Sequence, residues 1–350
     1  MKHLHSPLPL WVAIASLVSP LTAQSVSELE LEKSSTLDVW ESVTITPDMI
    51  SSTGKLLVPT SGAQQFYRMK VSLVDIPIGF ALIPSGSFTM GDSLDGYANA
   101  PPVTVNVSAF FMGKNEVTKA LWDEVWTWGA SNGYSDLRPG EGKASNHPVQ
   151  TVSWWDIVKW CNAKSQKEGL TPVYTVSGAV MKTGTTTPTV NWSANGYRLP
   201  SEAEWEKAAR GGLSGKRFPW GDTITHSQAN YFASQNYSYD QSGSLNNYHP
   251  SFATGSTPYT SPVGLFAANG YGLYDMAGNL FEWCWDLYGG STYANGVTDP
   301  RGANSGTFRV HRGGSWLNFA NGCRVANRYD FDPSFTNAYI GFRVARSSVP

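Results

Sequence analysis

Charge is scarce in these 350 residues and is not biased toward either sign. Charged side chains make up 15% of the chain and the net charge is −2. No basic surface is therefore indicated that would neutralise nucleic-acid phosphates or grip an anionic bilayer. Cysteine is scarce too, with only Cys161, Cys284 and Cys323. None stands in a Cys-x-x-Cys pair, so neither a zinc site nor a redox dithiol is indicated. The six histidines show neither His-x-His nor His-Glu-x-x-His spacing, and no Gly-x-Ser-x-Gly elbow or phosphate loop occurs. No apolar run is long enough to span a bilayer. Aromatics, in contrast, are plentiful: 14 Trp, 16 Tyr and 15 Phe, beside 34 Gly and 21 Pro. This composition predicts a compact, loop-rich globule held by large rings rather than a helical bundle.

Residues 1–23 read as a secretory signal. Lys2 supplies the basic start, Leu8 to Leu21 the apolar stretch, and Leu21-Thr22-Ala23 an imperfect cleavage site. The expected mature protein is exported. Residues 24–75 read as a small β module of about four strands around Trp40. In it Leu29 and Leu31 alternate with glutamates, and Tyr67, Met69, Val71 and Leu73 alternate with polar or basic neighbours. A larger domain follows over 76–350. Phe80 to Pro84 and Gly86 to Gly91 look like a strand and a tight hairpin, and Val103, Val105 and Val107 alternate as a strand does. One helix is expected from Thr118, with Leu121, Trp122 and Val125 inward and Gly129 ending it. A second is expected from Ser153, with Asp156 placed for a capping box and Cys161 on its buried stripe. The third start is the clearest, since Ser201 and Glu204 form a full capping box ahead of Trp205, Ala208 and Ala209. Glu202, Glu204 and Glu206 read as partners of that helix dipole.

The stretch from Gly270 to Arg346 is dense in Gly, Asn and aromatics, poor material for regular structure. Within it Asp275 and Glu282 flank Gly278-Asn279, which interrupts any helix between them. A loop folded back there lets both carboxylates and the intervening carbonyls converge on a hard cation such as calcium. The competing reading is an N-capping Asp and a surface Glu.

Several motifs carry a family resemblance. They include Gly86-Ser-Phe-Thr-Met-Gly91, Asn115-Glu-Val-Thr118, His147-Pro-Val149 and Tyr197-Arg-Leu-Pro-Ser-Glu-Ala-Glu-Trp-Glu206. Further on come Phe218-Pro-Trp-Gly-Asp222, Asn269-Gly-Tyr-Gly-Leu-Tyr274, Gly278-Asn-Leu-Phe-Glu-Trp283, Gly313-Gly-Ser-Trp316 and Gly341-Phe-Arg343. In this order they resemble the formylglycine-generating-enzyme (sulfatase-modifying factor) domain family. The resemblance implies an α+β domain, a variant of the C-type-lectin-like fold with little regular structure. It leaves residues 24–75 uncovered.

The resemblance also implies an activity, copper-dependent oxidation of a substrate cysteine by molecular oxygen, through a cysteine pair just after Gly-Gly-Ser. Counted from Ser315, the first of those positions is Asn318 and the second Cys323; counted back from Arg328, Cys323 matches neither. Cuprous ion prefers two soft thiolates, so copper chemistry is not expected. For calcium the resemblance implies Asp275, the carbonyls of Gly278 and Leu280, and Glu282. A weaker second site would use Asn230 and the carbonyl of Tyr231. The expectation is a secreted, calcium-stabilised binding or scaffold module, with a groove lined by Ser315, Trp316, Asn318, Phe319 and Arg328. Its partner would be an extracellular peptide, protein or glycan. The alternative is an oxidoreductase of the formylglycine-generating type working through Cys323. Export, together with the family's placement of the two stretches as neighbours, further suggests a Cys284–Cys323 disulfide, leaving Cys161 free.

Overall fold

The computed structural model describes residues 23–34, 41–43, 66–97, 99–243, 246–290 and 293–348, with the backbone alone for the strands before Asp75. The chain divides after Ile78 into two compact units. In the first, β1 (Ala23–Ser34) lies between β2 (Glu41–Val43) and β3 (Phe66–Ile76), all antiparallel. The long pairing runs from Ala23 opposite Ile76 to Ser34 opposite Phe66, with an irregularity between Val26 and Glu28. The period-two stretches thus fall in strands. Residues 1–22 of the expected leader, Trp40 and the Leu56-Leu57-Val58 run lie outside the described residues.

The second unit opens with β4 (Phe80–Ile83) and β5 (Gly86–Met90), followed by β6 (Val103–Val107) and β7 (Phe110–Gly113). The hairpin of β5 is with β6, while β4 pairs antiparallel with β7. After α1 (Lys119–Ala130) and α2 (Trp154–Lys167) come three short strands, β8 (Tyr174–Val176), β9 (Ala179–Val180) and β10 (Thr189–Val190). Then follow α3 (Glu202–Arg210), β11 (Phe281–Leu287) and β12 (Arg309–Arg312). The last strands are β13 (Tyr329–Phe331), β14 (Ile340–Gly341) and β15 (Ala345–Ser347). The largest sheet of this unit has the order β13-β12-β11-β14, with β14 parallel to β11. β15 returns to the edge of β7, closing the unit on its own beginning. With few helices and many short strands, the unit is α+β.

Each helix starts where a side chain satisfies its free N–H groups. The Thr118 hydroxyl accepts from Leu121 N at 3.2 Å, and full capping boxes close at Ser153/Asp156 and Ser201/Glu204. Leu121 is only half-buried, leaving Trp122, Val125 and Gly129 as the buried residues of α1. α2 is buried on every side from Trp154 to Ser165, not along one stripe. It lies between α1, where Trp160 stacks on Trp122 at 5.6 Å, and β11, where Trp154 Nε1 donates to Cys284 O at 3.0 Å. Cys161 is a buried hydrophobe there, as its spacing predicts.

All nine residues of α3 are buried, its three glutamates included. Beyond their place near the start of the helix, they are also the buried anions of an ion-pair network. Glu202 holds Arg328 at 2.6 and 2.8 Å, and Glu204 holds Arg198 at 2.6 and 2.9 Å. Glu206 joins Arg210 and Arg312 and accepts from Gly91 N at 2.7 Å. Buried carboxylates are tolerated only when paired and hydrogen-bonded, and these are. Burial would raise Glu204, but Arg198 and Arg301 hold it at about 2.

Between α3 and β11, residues 211–280 contain no helix or strand among the described residues. Amide side chains do the work of regular hydrogen bonding. Asn269 Nδ2 donates to the carbonyls of Ala208 and Ala209 at the end of α3, while its Oδ1 accepts from Tyr271 N and Leu273 N. This long loop arrives at the turn into β11, where the candidate site residues gather.

Candidate functional site

The turn before β11 is built on backbone that few residues adopt. Asp275, Gly278 and Asn279 have φ of 56°, 80° and 61°. A side chain at 278 would meet Asn230 O at 2.3 Å, so only glycine fits. Asn279 is the hub. Its Nδ2 donates to Glu116 Oε2 at 2.6 Å, and its Oδ1 accepts from Ser261 N at 2.9 Å and Asn230 Nδ2 at 3.3 Å. Its backbone N donates to Asn230 O, and its carbonyl accepts from Trp316 N. Glu116 Oε1 accepts from Leu280 N at 3.0 Å. Glu282 is no surface residue: it binds Arg343 through Nε and Nη2, both at 2.7 Å, and accepts from Trp205 Nε1 at 2.7 Å. Five of the sequence motifs thus meet at one buried junction.

Three buried carboxylates stand there, Glu116, Asp275 and Glu282, with one guanidinium, Arg343. Burial pushes the Glu116 carboxyl well above the usual range, and the nearby charges of Asp275 and Glu282 add to it. Burial likewise raises Asp275 to about 6, although Gly264 N–H and Arg343 oppose the rise. Asp275 Oδ2 accepts from Gly264 N at 2.7 Å, but buried Oδ1 has no partner. Asn115 Oδ1, also buried without a partner, lies where a Cβ on Gly264 would meet it at 3.0 Å. Orphaned hard oxygens beside surplus negative charge are the donor chemistry calcium uses. Asp275 fits that role. Both oxygens of Glu282 already serve Arg343 and Trp205. Among the described residues no group of three or more His, Cys, Asp or Glu side chains is arranged to hold a metal. At the weaker pair, Asn230 Nδ2 donates to Tyr259 O at 2.8 Å, Asn230 O accepts from Asn279 N, and Tyr231 O contacts His226 Nε2 at 3.1 Å.

The oxidase positions are closed. Asn318 Oδ1 accepts from Ser315 Oγ at 2.6 Å, and its backbone bonds Ser315 O and Phe232 N. Ser315 and Cys323 are fully buried. Burial pushes the Cys323 thiol well above its ordinary value, with Gly278 and Ser315 N–H groups only partly offsetting it. Buried and without a second thiol beside it, Cys323 does not present the pair of soft ligands that cuprous ion prefers. The expected disulfide is absent, since all three cysteines are free. Cys284 packs in the core beneath α3, Cys323 in a separate cluster with Phe218, Tyr231 and Tyr239.

Nor do the five expected groove residues form one groove. Arg328 is 6% exposed and points into Glu202, with its Nη1 also on Asn99 O at 3.2 Å. Trp316 is buried against Tyr248 and Tyr259, its Nε1 on Ala338 O at 3.1 Å. What reaches solvent is an aromatic face. Leu317 (43% exposed), Phe319 (41%), Tyr329 (37%) and Tyr97 (36%) are its most open members. Phe319 packs on Phe232 and Tyr237, at 5.3 and 6.0 Å. Tyr97 OH accepts from Asn321 Nδ2 at 3.0 Å. Burial raises the Tyr237 hydroxyl, and the proximity of Tyr97 and Tyr329 raises it further, which places the three tyrosines together. The charges bordering the face are paired, Arg217 with Asp95 and Arg324 with Asp92. Tyr97 carried no sequence signal for this role, because it lies far along the chain from Phe319.

Comparison with known proteins extends this picture. No helix among the described residues is long and apolar enough to cross a membrane. Residues 76–348 match the sulfatase-modifying factor enzyme 1-like domain. A formylglycine-generating enzyme of Thermomonospora curvata is 32% identical over 308 residues, covering 77% of this chain and 94% of that one. The chaperone protein LppX of Paenibacillus barcinonensis is 31% identical over 274 residues, covering 76% and 88%. Among solved structures, Treponema denticola variable protein 1 superposes with a TM-score of 0.60 at 28% identity, covering 83% of this chain and 98% of that one. On its motifs, fold and matched span, the chain belongs to the formylglycine-generating-enzyme (sulfatase-modifying factor) domain family.

Proposed function

We propose that this chain is an exported binding module, stabilised by calcium, that keeps its family's fold and has lost its copper chemistry. The fold is the family's variant of the C-type-lectin-like type. The observation that carries the reading is the state of the positions the resemblance assigns to the oxidase pair: Asn318 stands at one of them, and Cys323 is sealed in the core with no second cysteine beside it. Calcium would be held by Asp275 and the carbonyls of Gly278 and Leu280, with Asn115 Oδ1 at hand. When bound, it would supply positive charge to a junction rich in carboxylates. Its role is structural.

The binding surface is the aromatic face around Phe319 and Tyr329. Rings with hydroxyl and amide neighbours and few free charges have the composition of a protein-recognition surface: large rigid contact area beside adaptable hydrogen bonds. The occupant is therefore an extracytoplasmic protein or peptide. Two of the relatives carry names that describe no oxidase, a chaperone and a variable protein, which agrees with this reading.

Two experiments test it. The mature protein with cuprous ion, reductant and oxygen should leave a Cys-x-Pro-x-Arg peptide unconverted; formylglycine formation abolished by Cys323→Ser establishes the oxidoreductase instead. Peptides selected from a display library on the parent should lose binding to the Phe319→Ser/Tyr329→Ser double variant by about 2 kcal/mol or more, the scale of buried aromatic contacts. Undiminished binding by every selected peptide places the surface elsewhere.

A further inference from the structure

A second site lies on the far end of α3 from the capping box. Residues of β5 and β6, the end of α3, and the loop after it line an open pocket of about 330 Å³. Lys207 lies at its edge, 5% exposed. The ammonium donates to Gly86 O at 2.8 Å and more weakly to Val107 O at 3.4 Å, and it pairs with no carboxylate among the described residues. Asp299, the one acid that acts on it, is already bound to Ser108 N and Oγ at 2.8 and 2.7 Å. The neighbouring Arg210 is fully committed to Glu206, Gly91 O and Lys216 O. Lys207 is thus a buried cation with a donor to spare.

The pocket is open to solvent and its rim is hydroxylic. Exposed Ser87, Thr89, Thr104 and Ser214 and half-buried Tyr271 line it, and among the described residues none of their hydroxyls makes an intramolecular hydrogen bond. Phe88 and the 40%-exposed Leu213 supply apolar surface beside them. One uncompensated cation, a ring of free hydroxyls and a small apolar wall suit a single-charge, hydroxyl-rich ligand of monosaccharide size. A cavity of this volume is at the small end of ligand sites. A buried ammonium left without a counter-charge is costly, and burial draws Lys207 down to about 8.

We infer that this cavity binds a small hydroxylated carboxylate of the sugar-acid type, its carboxylate on Lys207 and its hydroxyls on the serine and threonine wall. The inference is independent of the aromatic face and of calcium.

The experiment is calorimetric titration of the mature protein with glucuronate, glucose and inorganic phosphate. Glucuronate should bind, glucose at least about tenfold more weakly, the loss expected of one charge-assisted hydrogen bond. Lys207→Met should weaken glucuronate by a similar factor. Because Lys207 is buried, an exposed second variant, Ser214→Trp, blocks the cavity without disturbing the core and should also abolish binding. Equal binding of glucose and glucuronate overturns the charge assignment. Tighter binding of phosphate than of glucuronate overturns the ligand class. Absence of glucuronate binding at about 10 mM, or full binding by the Ser214→Trp variant, overturns the site.

Discussion

Two buried acidic clusters lie on either side of Trp205, and they are solved differently. Along α3, Glu202, Glu204 and Glu206 each meet a guanidinium: Arg328, Arg198, and Arg210 with Arg312. At the junction before β11, Glu116, Asp275 and Glu282 share Arg343 alone. In the first cluster Glu202 and Glu204 are held below the usual carboxylate range despite full burial. In the second, Glu116 and Asp275 are raised above it, and two oxygens have no partner. Identical residue types at similar depth thus differ in whether the protein itself supplies the counter-charge. The carboxylates of α3 meet their counter-charges within the fold; at the junction, three carboxylates share one guanidinium.

The largest effect is expected from unbalancing the first cluster. Glu206→Gln leaves Arg210 and Arg312 facing a neutral amide, and breaking such a buried pair costs about 3–5 kcal/mol. Denaturant unfolding should register that loss, and a cost under about 1 kcal/mol would mean that the network is slack. The second cluster should respond to calcium instead. Chelator should lower the melting temperature of the parent but not of Asp275→Ala, with calcium contributing about 2.7 kcal/mol at a hundredfold excess over Kd. Identical parent melting with and without chelator removes the ion from consideration.

A third prediction concerns the one acid of the first cluster that is not balanced. Asp286 is raised to about 7, first by burial and then by Glu202, and shares the Tyr293 hydroxyl with Glu202 at 2.6 and 2.7 Å. Its folded value lies above its unfolded one, so its contribution to stability is full below pH about 4 and is lost as pH rises toward 7. The loss is at most about 1.4 kcal/mol per pH unit. Asp286→Asn imitates the protonated form, so its stability relative to the parent should grow across that window. A constant difference between the two from pH 4 to 7 refutes the assignment. The smallest effect belongs to the aromatic face, whose rings carry none of the buried ion pairs. Phe319→Ser/Tyr329→Ser should lower unfolding free energy by only about 1 kcal/mol per site, the scale of the half-exposed ring pairs lost, less than its effect on binding; a larger loss in denaturant unfolding would assign these rings to folding.

Local signals were readable in advance. The helix starts at Thr118, Ser153 and Ser201 rest on a side chain bonding a backbone N–H three residues on, a contact the chain order itself guarantees. The alternation of β3 and β6 is local in the same sense. Family motifs located Asp275, Gly278, Leu280 and Glu282 at one turn. The errors came where one end of an interaction was visible without the other. The glutamates of α3 show only their local role in sequence, because Arg312 and Arg328 arrive from more than a hundred residues downstream. Arg328 looked like a groove residue for the same reason. The Cys284–Cys323 bridge failed because two stretches adjacent in the fold send their thiols into separate cores.

The sequence by itself determined the family and the helix starts, because each is written in contiguous residues. Only the tertiary structure decided which carboxylates are balanced, which oxygens are orphaned beside Gly264, and which rings meet at the surface. Those outcomes depend on counter-charges, donors and neighbouring rings brought from distant segments. Burial then sets how strongly each match or mismatch counts, since an unpaired charge or polar atom costs little in water and much inside.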